Sequence, residues 1–233
     1  MSFSFNGKHI NDEFPNLKFV ERSSPPPEEV PIKDSVIGMQ GDYDFVIGIF
    51  GERLFENRSL EYVFNGKETD EDVRAFNKTM LENWLLRGSY MPLYDDKYPL
   101  HYYMARCVGV ELGVDNGTAK TPYTITFDAY PFKIKKAVEG SPYWDDYDVS
   151  DYYQEVDFTI NGSKIIQMMN TGITGIAPEV VTDSEMVITK GNNQFIVPAG
   201  KYAVDDFRFE TGMNIFTVTG NGNISFNWHK EVI

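Results

Sequence analysis

The residues able to do chemistry are few and scattered. Three histidines, His9, His101 and His229, stand in separate segments, and no His-Glu-x-x-His, Gly-x-Ser-x-Gly or Gly-x-x-x-x-Gly-Lys-Ser/Thr run accompanies them. The one cysteine, Cys107, sits in an alternating segment with Tyr103, Ala105 and Gly109 on its face, which marks a small core residue rather than a thiolate nucleophile. A single thiol also excludes an intrachain disulfide and a Cys-rich zinc site. Carboxylate pairs occur at Asp95-Asp96, Asp145-Asp146, Asp148 with Asp151, and Asp205-Asp206. Glycoside hydrolysis needs two carboxylates across a cleft, roughly 5 to 9.5 Å apart, but among 35 acidic residues such pairs arise by chance. The acids between Asp145 and Asp151 lack the spacing of an EF-type calcium loop. The expectation is therefore no enzyme, no catalytic residue, no metal and no cofactor.

Two stretches invite a ligand. In "SVIGMQGDYDF", Gly38 and Gly41 stand three apart, as in a phosphate cradle, yet no Lys or Arg lies between Gly38 and Phe45 and strand-like runs flank both sides. The pair reads as a chain reversal that needs positive φ or close backbone approach. In the acidic loop, Trp144, Tyr147, Tyr152 and Tyr153 interleave with aspartates, a combination that stacks on sugars. A carbohydrate-binding module contacting a cell surface is the second functional reading.

The net charge is −14, and the 21 Lys and Arg residues never gather into a run. Duplex binding gains its affinity by neutralising phosphates with clustered cations, so nucleic-acid recognition is excluded as a function class. No stretch approaches the roughly 18 apolar residues of a membrane span, and the amino terminus lacks a basic region followed by an apolar core. A soluble, unexported protein is expected.

The elements that position these residues read as mainly β. Aromatics make up 15% of the chain, which suits pleated surfaces. Asn6-Gly7 between short alternating runs signals an opening hairpin. "NLKFVER" is a strand, "SSPPPEEVP" (23–31) an extended arm that cannot donate a regular ladder, and "VPIKDSVI" and "DYDFVIGIF" extended runs. One helix is expected from Thr69 to Arg87, with Thr69 and Asp72 at its start and an apolar stripe of Val73, Phe76, Met80, Trp84, Leu81 and Leu85 lying on a sheet. "HYYMARCVGVELG" and "TPYTITFDAYPFKI" follow as a long hairpin about Asp115-Asn116-Gly117. The domains predicted are 1–136, an acidic linker 137–151, and 152–233 with about eight short strands, a sandwich or jelly roll.

Taken together, "FSFNGKHINDEF", the turn Gly38-x-x-Gly41-x-Tyr43-Asp44-Phe45, "LENWLL", "YMPLYDDKYPLHYYMARCVGV" and "TITFDAYPFK" resemble the distal tail proteins (Dit) of long-tailed, non-contractile bacteriophages and prophages. These motifs cover most of 1–136. Weaker ones, "MNTGITGIAPEVV", "MNIFTVTG" and "ISFNWHKEVI", resemble the family's galectin-like second domain. The family turn often carries Arg or Lys after its first glycine, where Met39 and Gln40 stand here. The resemblance implies an N-terminal β-sandwich-like domain with one helix and an arm, followed by a galectin-like sandwich. It implies a virion protein of the tail tip, made in the bacterial cytoplasm. Six copies would form a ring joining the major tail tube protein to a tail-tip protein, with tape measure or receptor-binding proteins as further partners. DNA would pass through the ring. Pro25, Pro26, Pro27, Val30 and Ile32 are then the subunit-contact candidates, the arm acting as a clasp on the next copy.

Overall fold

The computed structural model describes residues 2–35, 37–38, 40–68, 70–113, 121–143, 153–204 and 206–233. The chain is mainly β and divides into two compact units, Met1–Ile134 together with Ile233, and Lys135–Val232.

The first unit begins with β1 (Phe3–Phe5) and β2 (Lys8–His9), turned by Asn6 and Gly7 with φ of 50° and 72°. A short helix, α1 (Ile10–Glu13), and β3 (Lys18–Ser23) follow. Next come β4 (Lys33–Asp34), β5 (Tyr43–Asp44) and α2 (Phe45–Phe50). Then β6 (Arg58–Gly66), α3 (Glu71–Leu85), β7 (Met91–Asp95), β8 (His101–Leu112), β9 (Thr121–Ala129) and β10 (Lys133–Lys135) complete the series. The main sheet runs β2-β1-β7-β8-β9-β6-β3. Strict alternation of buried with exposed or half-exposed positions along β6 and β9 sends Leu60, Tyr62, Phe64, Tyr123, Ile125 and Phe127 to one face. Phe3 joins them, its ring 4.7 Å from Tyr62 and 5.3 Å from Phe127. A buried carboxylate ties three strands: Asp95 accepts from Arg22 on β3, from the Tyr62 hydroxyl on β6 at 2.9 Å and from the Lys97 N–H at 2.8 Å. Burial, then the Asp95 charge, holds the Tyr62 phenol well above its ordinary pKa.

Four expectations change. Two short helices, α1 and α2, stand beside the long one, and "FVIGIF" is α2 rather than strand. A continuous apolar run has no period to decide the matter. The ends decide it: the Asp44 carboxylate accepts from Val46 N–H at 3.0 Å, and Gly51 closes the helix with φ 72°. The start of α3 is Asp70, whose carboxylate accepts from Asp72 N–H at 2.8 Å; Thr69 lies outside the described residues. The α3 stripe is also split. Leu81 and Leu85 are buried and Trp84 packs near Phe3 and Phe14, but Val73, Phe76 and Met80 face away from the sheet. A bulge between Cys107 and Gly109 shifts β8, so Tyr103, Ala105 and Cys107 are buried and Val110, not Gly109, continues the face. The Asp115–Gly117 turn lies outside the described residues.

The second unit contains β11 (Asp157–Asn170), β12 (Glu179–Thr182), β13 (Met186–Lys190), β14 (Asn193–Val197), β15 (Gly200–Ala203), β16 (Gly212–Asn227) and β17 (Glu231–Val232). Two of these strands are longer than the short runs expected: β11 continues straight through Asn161-Gly162, and "NIFTVTG" with "ISFN" is one strand, β16. The two pair along their whole length, Asp157 opposite Ser225 and Asn170 opposite Gly212. Glycines face each other midway, Gly162 (φ 83°) against Gly220 (φ 152°), and let the ribbon bend instead of ending. On its other edge β16 pairs with β13 through Thr217–Thr219 and with β12 through Ile224–Asn227, on either side of that bend. The core between the halves holds Ile160, Met168, Ile188, Phe207, Phe209, Phe216, Phe226 and Trp228. Of the segment expected as a linker, Glu139 is buried and its N–H donates to the Trp228 carbonyl at 2.9 Å.

Burial pushes the Cys107 thiol up to about 11, against a backbone hydrogen bond to Gly109 that lowers it less. The thiolate is therefore scarce until the solution is strongly alkaline. Thiol labelling of the native chain at pH 8 is expected to run at least about 100-fold slower than in urea. Equal rates in both would place Cys107 outside the core.

Candidate assembly surface

The residues expected at subunit contacts all lie in one excursion from the sheet, from Ser24 to Asn57. Its two legs meet at a bridge of Glu29 with Phe55, with Val30 N–H donating to the Leu54 carbonyl at 2.9 Å and Glu56 N–H to the Glu28 carbonyl at 2.8 Å. Beyond the bridge, β4 and β5 pair antiparallel, Lys33 with Asp44 and Asp34 with Tyr43. Gly38 and Gly41 turn between them with φ of 86° and 81°, and a Cβ at either would meet nothing within 4 Å. The glycines serve backbone sign, not close approach. Tyr43 and Phe45 touch edge to face at 4.9 Å on the way into α2.

Arg58, the first residue of β6, holds the root. It is buried, and its Nη2 donates to the Ser24 carbonyl at 3.1 Å, to the Ser24 hydroxyl at 3.0 Å and to the Pro25 carbonyl, while Nη1 reaches the Pro131 carbonyl at 3.3 Å. The guanidinium lies 5.4 Å from the Tyr103 ring centre. Burial, followed by the charges of Arg58 and Lys97, lowers the pKa of nearby Lys133, whose Nζ sits 4.2 Å over Tyr98. The returning leg is fixed as well: Asn57 donates to the Tyr90 hydroxyl at 2.8 Å, and that hydroxyl donates to Asp128, which raises the Tyr90 phenol pKa.

The arm is held at its root but lacks a core of its own. Val46 and Pro27 are buried, and Val30 is half-buried. Pro25, Pro26, Ile32 and Tyr43 are exposed, as are Ile37, Ile47, Ile49, Phe50 and Leu54. Ile49 is 72% exposed and Phe50 58%. Soluble monomers rarely gather large apolar side chains so closely on one element. The sequence reading singled out the prolines for their stiffness and missed Ile47, Ile49 and Phe50. The signal available was Asp44 and Gly51, a cap at each end of the apolar run.

Of the glycan candidates, one falls among the described residues. Tyr153 is exposed, and Trp144, Tyr147 and Tyr152 lie outside the described residues. The second unit opens a cleft of about 400 Å³ lined by Asp157, Thr159, Asp183, Asn223 and Ser225 among others. These side chains bond one another: Asn223 donates to Asp183 at 2.9 Å, Thr159 to Asn223 at 2.9 Å, and Ser225 to Asp157.

Among solved structures, the chain is similar over 98% of both chains to the Dit protein of phage SPP1, described as a paradigm of the hub adsorption apparatus in phages infecting Gram-positive bacteria. The identity is 14% and the TM-score 0.64. This is the fold of a phage hub protein, spanning both units. A chain of the phage P2 baseplate in its activated conformation matches at 10% identity over 94% of this chain and 91% of that one, with a TM-score of 0.37, too loose to argue from. No family model matches the sequence, and no curated protein does.

Loss of the Arg58 fork should free the arm. Arg58→Ala is expected to lower stability by about 2 kcal/mol, because buried carbonyls lose charge-assisted donors. It should also speed tryptic cleavage at Lys33 and Arg53 severalfold. Arg58→Lys does not rescue, since one ammonium cannot span carbonyls from three residues. Unchanged cleavage kinetics in Arg58→Ala would show that the arm is held elsewhere.

Proposed function

We propose that this chain is a structural hub of a bacteriophage tail tip, six copies forming a ring that joins the tail tube to the tip proteins. The observation that carries the reading is an arm rooted firmly in a hub-protein fold and spending its apolar side chains on the outside. A ring closes through heterologous contacts, in which each copy presents one surface and receives another. The arm supplies the first. Pro25 and Pro26 stiffen its approach, so less entropy is lost on docking, and Ile32, Ile47, Ile49 and Phe50 provide the area.

The function is contact geometry rather than chemistry: no enzyme activity is proposed, and the partners are other tail proteins at the virion tail tip. DNA passes through the ring without being held. The charge of −14 suits that task, since an acidic lining repels phosphate. The second unit stands as a separate module of the hub, and its galectin-like character is part of this proposal.

Light scattering of the purified chain tests the reading. Six copies of 26.7 kDa, about 160 kDa, are expected for the native protein, and single copies for an Ile49→Asp, Phe50→Asp double variant that leaves the core intact. A native protein that stays at one copy at every concentration would overturn the ring, and an undiminished assembly in the double variant would overturn the role of the arm.

A further inference from the structure

A clasp needs a seat, and the first unit presents one. The outward edge of α3 carries Val73, Phe76 and Met80 at helical spacing, with Phe76 63% exposed. Amphipathic periodicity built this stripe, yet the sheet takes only the neighbouring edge through Leu81 and Leu85. The placement of the two apolar surfaces is what matters. The arm leaves where Arg58 pairs with Ala129, and α3 begins where Gly66 pairs with Thr121, eight residues away along β6, or about 27 Å. Arg74 fixes that beginning, its Nη1 donating to the Thr121 hydroxyl at 3.2 Å. Val73 and Phe76 therefore lie toward the end of the sheet opposite the arm's root.

We infer that the seat for α2 of one copy is the Val73, Phe76 and Met80 face of α3 on the next copy. This rests on the ring reading above and adds to it the receiving surface. The occupant is a second copy of this chain, for two reasons. The arm root and the start of α3 sit at opposite ends of one rigid sheet, which is the arrangement that passes a contact from copy to copy instead of pairing two copies face to face. The two surfaces also match in kind. Ile47 and Phe50 make an i, i+3 ridge on α2, and Val73, Phe76 and Met80 make an i, i+3, i+7 ridge on α3, so helix can pack on helix with aromatic and branched side chains alternating. Each surface alone is an exposed liability, and together they cover each other.

Paired cysteines give the test, because native Cys107 is buried with a raised pKa and stays silent. The full chain carrying Phe50→Cys and Phe76→Cys, oxidised with diamide, is expected to give a ladder of covalent multimers on a non-reducing gel. Mixing the two single variants is expected to give covalent dimers and nothing larger. Light scattering of the same samples before oxidation separates the two levels. Assembly without inter-copy disulfides would overturn this seat and leave the ring standing, whereas absence of assembly would overturn both. A second pair guards against a local effect of cysteine: Phe76→Glu should weaken assembly at least about tenfold in concentration, and Phe50→Lys added to it should recover part of that loss. Intact assembly in Phe76→Glu would show that α3 faces some other tail protein, contrary to the inference.

Discussion

Everything proposed for this chain depends on one buried guanidinium. Arg58 gives its N–H groups to carbonyls and a hydroxyl of the segment that becomes the arm, in a pocket closed on one side by Tyr103. A fork of fixed geometry can hold carbonyls from Ser24, Pro25 and Pro131 at once, and burial makes each of those bonds costly to break. Without it, thirty or so residues with little core would be a floppy insertion. With it they are a projecting element whose apolar side chains have a defined direction and distance from the sheet.

The same logic of ends explains what could and could not be read from the sequence. The hairpin at Asn6-Gly7, the strands β6, β8 and β9 and the long helix α3 all carry a clear period or an unambiguous turn pair, and they are legible as such. The run Phe45–Phe50 has no period, and only its flanking Asp44 and Gly51 tell helix from strand. On α3 the period was read correctly, but a stripe seen in sequence does not say how wide a strip the sheet will take. Asn161-Gly162 shows the opposite failure. A turn-like dipeptide lies inside a fourteen-residue strand, because Gly220 on the partner strand bends with it. Pairing between residues far apart in sequence overrode the local signal, as it routinely does in sheets.

The candidate surface was half visible. The prolines 25–27 announce a segment that cannot join a ladder, and the glycine pair announces a reversal, so the boundaries of the arm are in the sequence. What the arm displays is not, since exposure is a property of what fails to pack. Isoleucine and phenylalanine in an apolar run look like core until the fold shows no core for them to join. Val73, Phe76 and Met80 on α3 are likewise legible as an apolar stripe but not as an exposed one.

The central claim is that the arm's apolar side chains are covered by a neighbouring copy. A three-dimensional reconstruction of the purified assembly tests it most directly. The account predicts a six-fold ring in which Ile47, Ile49 and Phe50 of every copy are buried against the adjacent copy. A ring held by other surfaces, with the segment from Ser24 to Asn57 projecting into solvent, would contradict it.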